Sequence, residues 1–364
     1  MFTLMKNLLF LLLFSSIMLL SQAQQRAMKV PGLESTLLHK DYRPKSIFKT
    51  PQTLILKAKY MAIDMHMHAP TRCNLDSAAT ELLKNMDACG IEKTILFCMT
   101  GKTFDQNAAA FGKYPDRIQL WCWLDLKGFD KPGFGPSTIA ELERCVKLGA
   151  KGVGEVHDKG NGLPGTPGMH IDDPRMDAIL EKMADLNLPF NFHWSDPIWM
   201  FEPMDEHNDL LFESLYYRLD NKTDFLHQSA LLVTLENALK KHPRTTFVVA
   251  HFLNKTYNLD ELGRMLDKYP NLYADVSQRE SYLATVPRYA KQFMEKYADR
   301  LVYGTDQGYS LSMYRNTFHI WETLDEHFYA WDVSNTPWPL SGIGLNDVTL
   351  KKLYRENALK ILKK

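Results

Sequence analysis

Short apolar runs recur along the chain, each followed by a stretch whose apolar residues return every three or four positions. The runs are YMAIDMH (60–66), KTILFCM (93–99), IQLWCWLD (118–125), AKGVGEV (150–156), LPFNFHW (188–194), TFVVAHF (246–252), NLYADVS (271–277) and RLVYGTD (300–306). Rich in β-branched, aliphatic and aromatic residues, they predict buried strands. The stretches between them carry helix signals. Thr138 and Glu141 form a candidate capping box ahead of Ile139, Leu142 and Val146, with Gly149 as the stop. Asp173 followed by Pro174 opens the next helix, striped with Met176, Ile179, Leu180 and Met183. Leu232, Leu235 and Leu239 share a face before Pro243, and Leu259, Leu262, Leu266 and Tyr269 repeat the pattern before Pro270. The last helix is NDVTLKKLYRENALKILKK (346–364).

Alternating buried strands and amphipathic helices, eight units in all, predict an α/β protein with a closed (β/α)8 TIM barrel over residues 59–364. An open doubly wound sheet is the competitor, but no G-x-G-x-x-G turn follows the first strand. The connection at about 195–227 is far longer than a usual βα loop, and its first part is expected to fold over the barrel mouth as a lid.

Composition narrows the class. Lys plus Arg total 43 against 43 Asp plus Glu, so no basic footprint points to nucleic acid and the partner is expected to be a small-molecule substrate. Residues 1–23 place Lys6 before an apolar run that ends at Ser-Gln-Ala, which reads as a signal peptide cleaved after Ala23. The run is too short for a membrane span, which implies an exported, periplasmic or secreted chain without stable membrane insertion. Residues 24–58 are expected to form an arm packed on the barrel or on a second copy in a homo-oligomer. The five cysteines lack the spacing of a disulfide scaffold and read as mostly buried small apolar residues.

A barrel collects its chemistry at the carboxyl ends of its strands. Strand one ends in His66 and His68, whose imidazoles share a face because strand side chains alternate. Strand four ends in Glu155 and His157, strand five in His193, strand six in His251, strand seven in Asp275 and Ser277, and strand eight in Asp306. Each alone has an ordinary explanation: Glu155 pairing with Lys151 or Lys159, Asp306 capping a turn, a histidine hydrogen-bonded at the rim. The ordered set is hard to attribute to independent structural roles.

On "DMHMH", "FNFHW", "VVAHF" and "YGTDQG", the chain from about Tyr60 onward resembles the amidohydrolase superfamily, and within it the amidohydrolase-related group of hydrolases, lactonases and decarboxylases. The resemblance implies that His66, His68, His193 and Asp306 are metal ligands and that His251 lies beside them or polarises substrate. The bridging lysine of many binuclear relatives has no counterpart at the end of strand four, since Lys151 lies at its start; Glu155 is better placed to hold a second metal. One or two divalent ions follow, with Zn2+ the first expectation and Mn2+ or Fe2+ tolerated. Such an ion would acidify water, Asp306 would take the proton and return it to the leaving group, and His251 would polarise the carbonyl of an ester, lactone or amide. A decarboxylase using the same metal is the alternative. Arg72 could then hold a substrate carboxylate, or be a solvated loop cation. A non-catalytic ligand-binding barrel, using the aromatic segment 321–340 to stack a sugar, is the reading from another class; Asp306 argues against it.

Overall fold

The computed structural model describes residues 36–38, 41–210, 217–331, 333, 334, 336 and 338–363. The expected signal peptide and residues 24–35, 39 and 40 of the expected arm lie outside them. The chain separates into two units, Met1–Pro44 and Lys45–Lys364. Among the described residues no helix is long and apolar enough to cross a membrane.

In the second unit eight parallel strands follow one another around a single sheet in chain order. They are β1 (Ala62–His68), β2 (Ile91–Cys98), β3 (Ile118–Cys122), β4 (Val153–Asp158), β5 (Phe190–Trp194), β6 (Phe247–Val249), β7 (Leu272–Asp275) and β8 (Leu301–Val302). The segment after β8 returns to β1: Met65 N donates to Tyr303 O at 2.9 Å and Asp306 N to His66 O at 2.8 Å. The architecture is that of a (β/α)8 barrel.

The helices are α1 (Leu75–Cys89), α2 (Lys102–Phe111), α3 (Pro136–Lys147), α4 (Asp177–Asp185), α5 (Gln228–Lys241), α6 (Leu259–Lys268), α7 (Glu280–Leu283), α8 (Pro287–Lys296), α9 (Leu311–Glu322), α10 (Asp347–Lys351) and α11 (Asn357–Leu362), with a π turn at Lys352–Glu356. Their ends follow from side chains that satisfy free backbone N–H groups. Asn74 caps α1 by accepting from Ser77 N, and Ser310 caps α9 by accepting from Met313 N. The expected Thr138/Glu141 capping box does not form. Pro136 starts α3, Thr138 Oγ1 donates to Asp125 O, and Glu141 accepts from Gly101 N and from Arg144.

Two apolar layers result. The larger packs the outer faces of the strands against the helices. The smaller fills the barrel with Ile63, Met65, Ile95, Phe97, Trp121, Val248 and Val302, and α11 closes the floor with Ala358 and Ile361. Asn357 Nδ2 ties α11 to the strand above it, donating to Ala298 O at 2.7 Å and Leu301 O at 2.8 Å. Cys89, Cys98, Cys122 and Cys145 are buried, Cys73 is exposed, and all five are free thiols.

Part of the expected arm, residues 46–58, lies with the adjoining Lys59 along α9 and the segment after it. Thr53 Oγ1 donates to Asp325 Oδ1 at 2.9 Å, Lys59 N to Glu322 Oε1 at 2.9 Å and Arg315 Nε to Leu56 O at 3.1 Å. Of the long connection after β5, residues 211–216 lie outside the described ones. The rest spans the barrel mouth: the Trp199 ring packs 4.7 Å from Tyr282 beyond β7, and Leu226 N donates to Gly160 O beyond β4.

Candidate metal centre

Several strands end earlier than their apolar runs suggest, and that shortening builds the site. The ladder of β6 stops at Val249 and that of β8 at Val302, ahead of His251 and Asp306. Both residues are in the left-handed region, with φ of +60° and +56°. An L-residue there cannot continue a strand, so the chain turns and aims its side chain across the barrel mouth. In β1 the ladder to β2 shifts register between Asp64 and Met67. Met65 therefore joins the apolar filling while the adjacent His66 also reaches the interior, with its ring 4.9 Å from Phe97.

Glu155 stands at the middle of the cluster. Its Oε1 lies 3.5 Å from His66 Nε2, 3.4 Å from His251 Nε2 and 3.0 Å from His193 Nδ1, and its Oε2 lies 3.3 Å from His68 Nε2. Asp306 Oδ1 is 3.3 Å from His66 Nε2 and 3.2 Å from His68 Nε2, and Oδ2 is 3.7 Å from His251 Nε2. Two overlapping groups could hold an ion: His66, Glu155 and His251, and His66, His68 and Asp306.

These separations fit the edges of a coordination polyhedron. For nitrogen and oxygen ligands about 2.1 Å from a tetrahedral ion, neighbouring donors lie about 3.4 Å apart. His66 Nε2 and His193 Nε2 are buried and make no hydrogen bond. The first sits inside both donor groups, as a ligand nitrogen would.

The surroundings set ring orientation and charge. Asp275 Oδ2 takes His66 Nδ1 at 2.9 Å, turning Nε2 inward. His251 Nδ1 lies 2.9 Å from Ser277 O, a carbonyl that only accepts, so Nδ1 carries the hydrogen and Nε2 presents a lone pair. Burial opposes the charged form of His66, but Asp275, Asp306 and Glu155 outweigh it and hold its pKa well above the usual imidazole value. Burial also opposes ionised Glu155, yet His193 and His66 keep its pKa well below the usual carboxylate range. His251, buried and facing His193, is pushed down. The donor set is thus rich in negative charge around neutral-capable nitrogens, and the field that favours a proton there also favours a divalent cation, which would compete with it.

The structure brings His66, His68, Glu155, His251 and Asp306 together. His193 belongs to neither donor group; it attaches through Glu155 and lies 3.5 Å from Asp196 Oδ1 by its Nε2. His157 stays outside the cluster, its ring 5.9 Å from that of Trp123. Arg72 is in the exposed loop after β1. Four supporting residues had no assigned role: Asp64, whose Oδ1 accepts His66 N; Asn191, which donates to Asp275 Oδ2; Asp275 itself; and Gln278, whose Nε2 donates to Asp306 Oδ2 at 2.6 Å. A two-residue step back along the strand finds Asp64 from His66 and Asn191 from His193. Gln278 leaves no such trace.

Comparisons with known proteins agree with the barrel. A family model described as amidohydrolase matches residues 63–364. No curated protein sequence matches the chain. Among solved structures, an uncharacterised TIM-barrel protein from Bordetella bronchiseptica is similar at 16% identity and a TM-score of 0.52, over 83% of this chain and 98% of that one. A dihydroxybenzoic acid decarboxylase from Polaromonas, with bound manganese and the inhibitor 2-nitroresorcinol, is similar at 18% identity and a TM-score of 0.51, over 84% and 97%. A 2,6-dihydroxybenzoate decarboxylase from Rhizobium is similar at 18% identity and a TM-score of 0.50, over 84% and 99%. At these identities the likenesses establish the barrel.

Proposed function

The chain belongs to the amidohydrolase family and is a metal-dependent enzyme of that type, and from this premise we propose that it hydrolyses an ester, lactone or amide bond in a small molecule. The observation that carries the proposal is the convergence of His66, His68, His251, Glu155 and Asp306 at hydrogen-bond to polyhedron-edge distances inside one mouth. A bound divalent ion supplies Lewis acidity and makes water acidic enough to lose a proton near neutral pH. Asp306 is the residue that receives and returns a proton, at Oδ2, with the Gln278 amide holding that oxygen in place. His251 faces the same space with its Nε2: unprotonated, it can ligate the ion beside His66 and Glu155, and it donates to a substrate oxygen as charge develops only when that nitrogen carries a proton. His66 Nε2 can coordinate only one ion, so the two donor groups support one tight site, with the second carboxylate oxygen of Glu155 available to a further ion. Imidazole-rich ligation supports Zn2+, and the manganese in the Polaromonas decarboxylase makes Mn2+ the competitor.

Decarboxylation is the second reading. The Gln278 amide already occupies Asp306 Oδ2, which lowers its basicity and suits an Asp306 that only holds the cation. Metal analysis followed by turnover on ester, lactone, amide and hydroxybenzoate panels separates the readings. Hydrolysis releases acid without carbon dioxide, and carbon dioxide release without hydrolysis rejects the first reading. Export follows from the signal peptide and is checked by N-terminal sequencing of the mature protein: a chain beginning at Gln24 supports it, and a retained Met1 rejects it.

A further inference from the structure

The cluster has an edge that the chemistry above does not use. Ser195, at φ +60°, turns the chain at the end of β5 and presents Asp196, which is 5% exposed. Lys159 Nζ lies 3.0 Å from Asp196 Oδ1, the oxygen that also faces His193. Asp196 Oδ2 is buried and no donor among the described residues reaches it. Behind the carboxylate, the Asp196 main-chain carbonyl accepts from Gln228 Nε2 at 2.6 Å and from Ser195 Oγ at 3.1 Å, which pins the residue. Lys159, with Asn161, Thr166, Tyr217 and Phe225, lines a cavity of about 330 Å3 beside the carboxyl end of β4. Its ammonium stands 5.8 Å from the centre of the Tyr217 ring.

Leaving a buried carboxylate oxygen without a donor costs on the order of 1 to 3 kcal/mol, so this oxygen gains from any donor that reaches it, an ordered water or a group of a ligand. Charge decides which kind. Lys159 and Asp196 cancel, so the edge offers no net attraction to an ion. An anionic group would meet Oδ2, and a cationic one would meet the ammonium. A neutral hydroxyl or N–H group donates to Oδ2 without either conflict.

We propose that Asp196, backed by Lys159, is the specificity-determining acceptor of this site, taking a hydrogen bond from a hydroxyl or N–H group on a neutral part of the substrate. The proposal rests on the site being the enzyme's active site, and it names the substrate class as small molecules that carry such a donor beside the reacting carbonyl. A site built to hydrogen-bond a substrate hydroxyl rejects the analogue lacking it by up to about 10,000-fold or more, and for one hydroxyl at a partly open mouth we expect about 100-fold.

The test uses the metal-loaded full chain and a pair of probes differing by one hydroxyl, α-hydroxy-γ-butyrolactone and γ-butyrolactone. Turnover is read as kcat/KM and binding by calorimetry, with metal content measured throughout. The wild type should prefer the hydroxylated lactone by about 100-fold. Asp196→Leu should bring the preference within about twofold, and Asp196→Asn, which keeps an acceptor oxygen and folds more safely, should retain part of it. Equal handling of the two probes by the wild type, in turnover and in binding, overturns the proposal, as does an unchanged preference in both variants. Discrimination in binding without turnover of either lactone rejects the hydrolytic reading and supports this one.

Discussion

The two ends of the barrel are built from the same eight strands and do opposite work. At the floor, Ile63, Met65, Ile95, Trp121, Val302, Ala358 and Ile361 exclude water, and burial there contributes stability. At the mouth, Glu155, Asp275 and His66 are nearly as buried and Asp306 is partly so, yet their mutual field is held for chemistry. Asp275 shows the difference in one residue. Its carboxylate accepts His66 Nδ1, Asn191 Nδ2, His251 N, Ser277 N and Ser277 Oγ, a saturation that orients ligands. Stability and reactivity are therefore separable along the barrel axis.

The sharpest way to break this comparison is Asp306→Asn. It should leave a folded protein and reduce kcat by about 1,000-fold, measured on whichever panel substrate the wild type turns over. Unchanged turnover would show that Asp306 is structural after all. At the other end, Ile361→Ala should cost about 3 kcal/mol in denaturant unfolding, because a buried methyl cluster is lost and the floor cannot fully collapse. Metal content per folded molecule should stay the same; a loss of metal in that variant would mean that the floor and mouth are coupled.

Asp275→Asn tests the mouth more gently. The amide still reaches His66 but loses the charge that orients it, so metal affinity should fall about 10- to 100-fold in competition with a chelator, with near-normal unfolding. Chelation of the wild type should abolish turnover and lower the unfolding midpoint, since an ion that binds only the folded state stabilises it.

The smallest effect belongs to the outer layer. The Arg144 guanidinium, with Gly101 N, holds Glu141 down at about 2, against its ordinary 4.5, although burial works the other way. A depressed carboxylate stabilises the fold above its unfolded pKa, and that contribution disappears as pH falls from about 4.5 through about 2. Glu141→Gln should flatten this part of the acid-unfolding curve and leave the neutral-pH metal affinity alone. An unaltered curve would assign the acid sensitivity to the mouth instead.

Much of this was legible in the chain because it is local. The eight strands, their order and the helix stripes follow from periodicities of two and 3.6, and His66, His68, Glu155, His251 and Asp306 stood out as chemistry-bearing groups at strand ends. The strand ends themselves did not. β8 is two residues long where the apolar run spans seven, because Asp306 leaves the ladder in a left-handed turn that composition does not mark.

Sequence alone determined the barrel and which chemistry-bearing residue types end its strands, since burial pattern and side-chain alternation act over a few neighbours. Only the tertiary structure decided who touches whom. Gln278 on Asp306, Asp275 behind His66 and Lys159 against Asp196 are contacts across strands or turns, fixed by register, backbone sign and the closing of the sheet on itself. Those quantities exist only once the eighth strand has met the first.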